Sequence, residues 1–338
     1  VEKPLRTRWD EVQSQAALTQ RMKVDLGMES LDTFAPLKKP ALSPSRVERF
    51  LDCPFKFAIE ALFYLRDLPE IDLHLDPRSY GNIIHDIFEK LTVEPRRWDY
   101  SSQEIESLVD EVFETKHKHF FYPEMWPAFR KKVVQMTQRF IKFEKEWAGR
   151  FPQTRTLAQE QAWAFEIKSD NGSLIAQPPG ETLPKDYFYI SGKIDRIDSD
   201  DSGRRVVLDY KSSLASAENY SKWFEKNKLQ LLFYIWALEK GPAMAGPVVG
   251  AFYYVFKNME RHRGLGLKDQ GENLFPMEGR FGSLTDADSK SKLVKDLEQT
   301  LVDVMERIEN GKFPVQPREE ELCTKCHIKT MCRLSTPF

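Results

Sequence analysis

The chain has 338 residues, a mass of 39.5 kDa and a formal net charge of −2, which leaves room for one large domain or two medium ones. Its 41% hydrophobic and 12% aromatic content supplies ample core material and excludes a chain disordered throughout. No apolar run approaches the ~18 residues of a membrane span, and the near-neutral charge excludes a global basic field, so an anionic partner has to be met by local positive charge or by metal.

The N-terminus, VEKPLRTRWDEV, has neither the apolar stretch of a signal peptide nor an initiating Met, so a cytoplasmic piece of a longer protein is expected. Residues 1–41 read as a polar arm and linker. At Ser43 a helix is predicted: Ser43 caps it, Pro44 suits its first position, and Val47, Phe50 and Leu51 form an apolar stripe. Pro54 restarts it toward Leu65 and leaves Cys53 at the junction. Helices are expected over 82–92, over about 104–149 with breaks near Pro123 and Pro127, and over 289–310. Strands are expected at 160–168, 187–197, 205–211 and 248–256. The cluster SDDSG between the second and third of these predicts a hairpin. Residues 228–239 are apolar nearly all round, the mark of a buried helix. The order predicts a single α/β domain over 42–338, a mixed sheet flanked by helices, with a helical insertion at about 100–150.

Chemistry concentrates in the hairpin. Asp209 and Lys211 share a strand face. A turn centred near residue 201 would set Asp195 across from Val207 and diagonal to Asp209 on that face. Two converging carboxylates repel unless a cation sits between them, and hard oxygen ligands suit Mg²⁺ or Mn²⁺. A lysine beside such an ion can polarise an attacking water, which together gives the parts of metal-assisted phosphodiester hydrolysis. The plain alternative is a surface ion pair, but Asp209 follows Val206-Val207-Leu208, a run typical of a strand buried on both faces.

His85 lies outside the stripe of Ile83, Ile84, Ile87, Phe88 and Leu91, so it is either solvated or an imidazole ligand for the same ion. Gly81, one turn earlier, would allow close approach of backbone or substrate. Gln230 and Tyr234 share a helix face and would line the cleft, contacting phosphate or orienting Lys211. Glu160 is a further acidic candidate, with Glu166 nearly as good. Local phosphate contact could come from Arg130, Lys131 and Lys132 or from Lys222, Lys226 and Lys228; solvated helix faces are the alternative.

The tail carries Cys323, Cys326 and Cys332 as C-x2-C-x5-C, and Cys53 is the only other cysteine. Four such residues fit zinc or an iron–sulfur cluster, and His327 could substitute in a zinc site. Shared ligation would tie the chain's two ends together.

These pieces, in order, resemble the PD-(D/E)XK nuclease superfamily, most closely the iron–sulfur nuclease domains of AddB-type and RecB-like helicase–nucleases. The carriers are LSPSRVERFLDCPFKF, GNIIHDIFEKL, GKIDRID, VVLDYKSS, QLLFYIWAL and the cysteine tail, covering about residues 42–333. The resemblance implies a restriction-endonuclease-like core stapled by a structural [4Fe-4S] cluster on Cys53, Cys323, Cys326 and Cys332. It implies that His85, Asp195, Asp209 and the Tyr210 carbonyl bind Mg²⁺ and that Lys211 positions the water. It further implies DNA as substrate, exonuclease-type cleavage in double-strand-break repair, and a helicase region or subunit as partner. No G-x-x-x-x-G-K-[ST] loop is present, so no ATPase is expected from these residues. A freestanding exonuclease like those of CRISPR adaptation, or a non-catalytic iron–sulfur DNA-binding scaffold, are the competing readings.

Overall fold

The protein is described by a computed structural model over residues 39–65, 77–93, 98–117, 125–241, 246–277, 283–324 and 326–332; most of the expected N-terminal arm and the break at Pro123 lie outside them. The chain divides into two compact units, one of Val1–Pro69, Ala164–Gly192 and Lys295–Phe338, the other of Glu70–Trp163 and Lys193–Val294.

In the first unit, α1 (Pro44–Asp52) starts where expected: the Ser43 hydroxyl accepts from the Arg46 amide, and proline occupies the first turn, where its missing N–H costs nothing. The chain turns extended at Cys53 and restarts as α2 (Pro54–Phe57). A π-helical turn, Ala58–Leu62, follows, so the helix expected to reach Leu65 stops short. Phe50 and Phe57 meet edge to face at 5.3 Å, and Phe313 stacks on Phe57. This unit also holds most of α7 (Ala287–Glu309) and the short α8 (Glu321–Thr324) and α9 (Lys329–Cys332).

In the second unit, α3 (Pro77–Val93), α4 (Ser102–Val112) and α5 (Trp126–Arg150) form the helical region. Ser101 and Glu104 close a capping box at the start of α4,. The expected break at Pro127 does not occur, because Pro127 falls in the first turn of α5, where proline is tolerated. The α3 stripe Ile83, Ile84, Ile87, Phe88 and Leu91 is buried with Val109, Val133 and Phe140 against Tyr210 and Tyr254.

The sheet runs in the order β2 (Ser173–Gln177), β1 (Arg155–Asp170), β3 (Phe188–Ser199), β4 (Arg205–Lys211), β5 (Val248–Val255), β6 (Glu260–Leu267), β7 (Leu284–Thr285). Strands β1 and β3 run through both units. β3 and β4 pair antiparallel, β4 and β5 parallel, so the sheet is mixed. The parallel step needs a crossover, which is α6 (Gln230–Lys240), buried from Leu231 to Leu238. Strands β2, β6 and β7 were not expected. β6 reads ERHRGLGL, without alternation. It pairs because Gly264 takes a positive φ of 142°, where a Cβ would lie 2.1 Å from the Ala251 carbonyl oxygen,.

The β3–β4 turn is three residues long. The Asp200 amide bonds the Arg204 carbonyl at 3.1 Å, the Asp200 carboxylate accepts from the Ser202 and Arg204 amides, and Gly203 takes φ +77°,. This centres the hairpin on Ser202 and pairs Arg196 with Leu208. Extending that register sets Asp195 directly across from Asp209, not across from Val207 as the sequence suggested.

Arg196 and Asp198, on the other face of β3, join Glu144 of α5 and Arg261 of β6 in a network buried to 4% exposure or less. Arg196 donates to Asp198 at 2.6 Å and to Glu144 at 2.8 Å, and Arg261 pairs with Glu144. Arg261 also lies over the rings of Trp147 and Tyr254,.

Candidate metal centre

Adjacent strands end with their acidic side chains on one face. Asp209 closes the run Val206-Val207-Leu208 and is fully buried. Neither of its oxygens has a hydrogen-bond partner, although the Lys211 ammonium stands 2.6 Å from Oδ2, off the hydrogen-bonding direction. A buried carboxylate left this way is costly. Asp195 is better held: its Oδ2 accepts from the Tyr210 amide at 2.8 Å, which locks β3 to β4 beyond the last ladder pair.

α3 brings His85 to the same place. Its Nε2 lies 3.5 Å from Asp195 Oδ2 and 3.3 Å from the Tyr210 carbonyl oxygen, and its Nδ1 lies 3.9 Å from Glu160 Oε1. The Tyr210 ring packs edge to face against Phe88 and His85, while its backbone amide and carbonyl meet Asp195 and His85. Among the described residues, His85, Glu160 and Asp195 form a group whose ligand atoms all lie within 4.8 Å of one another. Nitrogen and carboxylate donors converging beside the unbonded Asp209 oxygens fit a divalent cation with hard ligands.

Glu160 thus separates from Glu166, its rival in the sequence. Glu166 is buried in the first unit, where it accepts from Gln177 and the Gly180 amide. Glu160 has φ +46° inside β1, an uncommon conformation for a non-glycine residue, and its carboxylate faces His85 at 3.9 Å. A conformation of that kind costs roughly 1–3 kcal/mol, and no local pattern in the sequence announces it. At Gly81 a Cβ would meet nothing within 4 Å, so no backbone of this chain approaches it closely.

Lys211 donates to Gln230 Oε1 at 2.9 Å, and Gln230 Nε2 donates to the Tyr234 hydroxyl at 2.6 Å. The start of α6 therefore meets the end of β4 through this chain. Gln230 is thereby hydrogen-bonded on one side to Lys211 and on the other to Tyr234.

The electrostatics follow from crowding. Burial, then repulsion from Asp209, pushes the Asp195 carboxyl up to about 7. Burial opposes protonation of His85, but Glu160, Asp195, Asp209 and the Tyr210 carbonyl outweigh it and raise the imidazole to about 9. Without a cation, the cluster gathers protons.

The cysteines sit elsewhere, in the first unit. Cys53, Cys323, Cys326 and Cys332 all line one cavity of about 280 Å³, together with Arg49, Lys56 and Lys329. No three of their sulfurs lie within 4.8 Å of one another. Burial raises the Cys53 thiol, and burial with the neighbouring Cys332 and Cys326 raises Cys323. His327 points to Glu60 at 3.3 Å.

Of the basic groups, Arg130 is engaged by Asp110 and Glu106, leaving Lys131 and Lys132 exposed. Lys222 is exposed, and Lys226 pairs with Glu225 at 3.5 Å.

A mixed sheet that delivers two aspartates and a lysine from neighbouring strand ends, beside a helical histidine, defines an α/β protein built around a carboxylate site. The family model for the PD-(D/E)XK nuclease superfamily matches residues 41–333, and the chain belongs to that superfamily. It is 25% identical over 348 residues to an ATP-dependent helicase/deoxyribonuclease subunit of Lactococcus lactis subsp. lactis (strain IL1403), covering 92% of this chain and 30% of that protein. It is 26% identical over 328 residues to the ATP-dependent helicase/deoxyribonuclease subunit of the same name from Streptococcus pneumoniae (strain CGSP14), covering 87% and 28%. With the exonuclease/helicase protein RexB of Lactococcus lactis subsp. cremoris (strain MG1363) it shares 23% identity over 330 residues, 86% and 28%. The chain thus spans less than a third of the length of these relatives. Among the described residues no helix is long and apolar enough to cross a membrane.

Proposed function

We propose that the chain is a metal-dependent DNA nuclease, the exonuclease module of a helicase–nuclease acting in double-strand-break repair. The observation that carries this is Asp209: a buried carboxylate that accepts no hydrogen bond and meets the Lys211 ammonium at 2.6 Å, across from Asp195 and beside the group of His85, Glu160 and Asp195. His85, Asp195, Asp209 and the Tyr210 carbonyl, with Glu160, would hold Mg²⁺ or Mn²⁺. Bound there, the ion supplies Lewis-acid stabilisation of charge on a phosphate oxygen.

Lys211, fixed by Gln230 and through it by Tyr234, holds the attacking water at the phosphorus and offsets the negative charge that develops there. Water adds to phosphorus and releases a proton to solvent, the bond to the leaving oxygen breaks, and that oxygen takes a proton from solvent. DNA as substrate and a helicase region or subunit as partner follow from the relatives' names. Asp209→Ala should abolish Mg²⁺-dependent cleavage of linear DNA while the protein stays folded by circular dichroism. Undiminished cleavage by that variant would falsify the site assignment.

For the cysteines we propose a structural [4Fe-4S] cluster. A zinc ion would draw its sulfurs to about 3.8 Å from one another at a Zn–S distance of about 2.3 Å. Four thiols spread around a cavity suit the larger cluster, which is held by four thiolates. Freshly purified protein should be brown with about four irons per chain; colourless protein with one zinc would overturn the cluster.

A further inference from the structure

Lys193 has no part in the chemistry above, yet it lies two residues before Asp195 in β3 and so on the same strand face. It is the outward member of the site. Its side chain keeps 58% of its accessible surface, against 14% for Asp195. Its ammonium contacts Oε2 of Glu160, while Oε1 of that carboxylate turns inward to His85 at 3.9 Å. Two further carboxylates act on Lys193, Glu89 and Asp195; Glu89 is engaged by Lys116 at 3.4 Å and Asp195 by the Tyr210 amide at 2.8 Å.

We infer that Lys193 is a phosphate-contact residue governed by the metal: it neutralises Glu160 while the site lacks a cation, and when a cation takes over that task its ammonium turns to a DNA backbone phosphate next to the scissile one. This rests on the nuclease reading above. The argument is competition for one carboxylate. Lys193 and a divalent cation both draw on Glu160, so each weakens the hold of the other. Glu160 keeps a second partner when Lys193 leaves, because its Oε1 faces His85 Nδ1 at 3.9 Å. A lysine ammonium, a compact charge on a flexible stem, reaches a phosphate with little rearrangement.

Lys193→Met keeps the stem and removes the charge; Lys193→Arg keeps the charge. Mg²⁺ binding is measured by calorimetry without DNA, cleavage of linear duplex over a salt series, and DNA affinity by fluorescence anisotropy without Mg²⁺. The Met variant should melt as wild type does and bind Mg²⁺ several-fold more tightly, since a cation beside the site is gone. Its KM for DNA should rise about tenfold with kcat nearly unchanged, and the slope of log KM against log salt should fall by about 1. The Arg variant should restore KM, and anisotropy without Mg²⁺ should be unchanged. Weaker Mg²⁺ binding in the Met variant would make Lys193 a prop for Glu160 and overturn the inference, as would an unchanged KM and salt slope. Wild-type protein that binds Mg²⁺ and DNA without cleaving would instead overturn the nuclease reading, and the Mg²⁺ titration would still decide the competition for Glu160.

Discussion

β3 carries buried charge on both of its faces. On one, Arg196 and Asp198 close a network with Glu144 and Arg261: two cations, two anions, each engaged by an opposite charge. On the other, Asp195 faces Asp209 across the hairpin, with Glu160 beside them and His85 and Lys211 as the nearby cations. There the Asp209 oxygens accept no hydrogen bond. Neighbouring positions on one strand therefore do opposite work. The closed network satisfies its charges and holds α5 to the sheet. The open cluster gathers three carboxylates whose charge is met by Lys211, Lys193 and protons on His85 and Asp195, partners that a metal can replace. The closed network is buried to 4% exposure or less, whereas Asp195, Glu160, Lys211 and His85 keep 14–27% of their side-chain surface; solvent access and the partners of each acid separate a brace from a site.

The sharpest test of that contrast removes one acid from each face. Glu144→Ala strands two buried guanidinium groups and should cost about 3–5 kcal/mol in urea unfolding. Asp209→Ala removes a buried carboxylate that accepts no hydrogen bond and leaves its paired charge, Lys211, bonded to Gln230, so it should cost far less. Equal destabilisation by both would erase the distinction.

On the open face, Lys211→Ala should lower kcat about 10²–10³-fold while changing DNA affinity by less than about threefold, because its charge acts mainly on the reacting phosphate. A loss confined to affinity would move Lys211 out of the chemistry.

Protons and metal compete for the open cluster only. With His85 raised to about 9 and Asp195 to about 7, Mg²⁺ has to displace one proton between those values and a second below the lower one. Log affinity should climb with pH by up to about one unit per pH unit from 7 to 9, more steeply below 7. Calorimetry in buffers of different ionisation enthalpy would count the protons, and a flat profile would contradict the site's composition.

The closed network titrates the other way. Against the cost of burial, Arg196 and Arg261 hold the Glu144 carboxyl below its ordinary value. A depressed folded-state pKa gives stability that is present above the unfolded value, near 4.5, and is lost as pH falls through the folded one. Acid unfolding of Glu144→Gln should therefore show a shallower dependence on pH below about 4.5 than wild type.

Much of this was legible in the sequence because local rules and tertiary context agree there. The Ser43-Pro44 cap, the α3 stripe that excludes His85, and the apolar run into Asp209 each need only nearby residues. The hairpin register was misread because the turn was centred one residue early; parity survived, so the two aspartates still share a face. β6 was missed because its glycine-rich run has no period, and its pairing depends on the close approach of Ala251 to Gly264. Glu160 was left level with Glu166, since what separates them is a backbone twist that tertiary contacts impose. The cysteine spacing foretold a shared cavity, while the distances between sulfurs belong to the folded unit alone.

The order of the two units along the chain sets a timetable for synthesis. The second unit ends at Val294, whereas the first reaches from the N-terminal region to Lys295–Phe338. On the ribosome the inner unit can be complete before the outer one has received its last segment. Cys53 therefore emerges long before Cys332, by roughly 15 to 55 s at ~5–20 residues per second. During that interval its thiol has none of the tail cysteines beside it and is open to oxidation or to stray metals. A group held by all four cysteines can be bound only once Cys332 has emerged, so reducing conditions during that interval protect the Cys53 thiol.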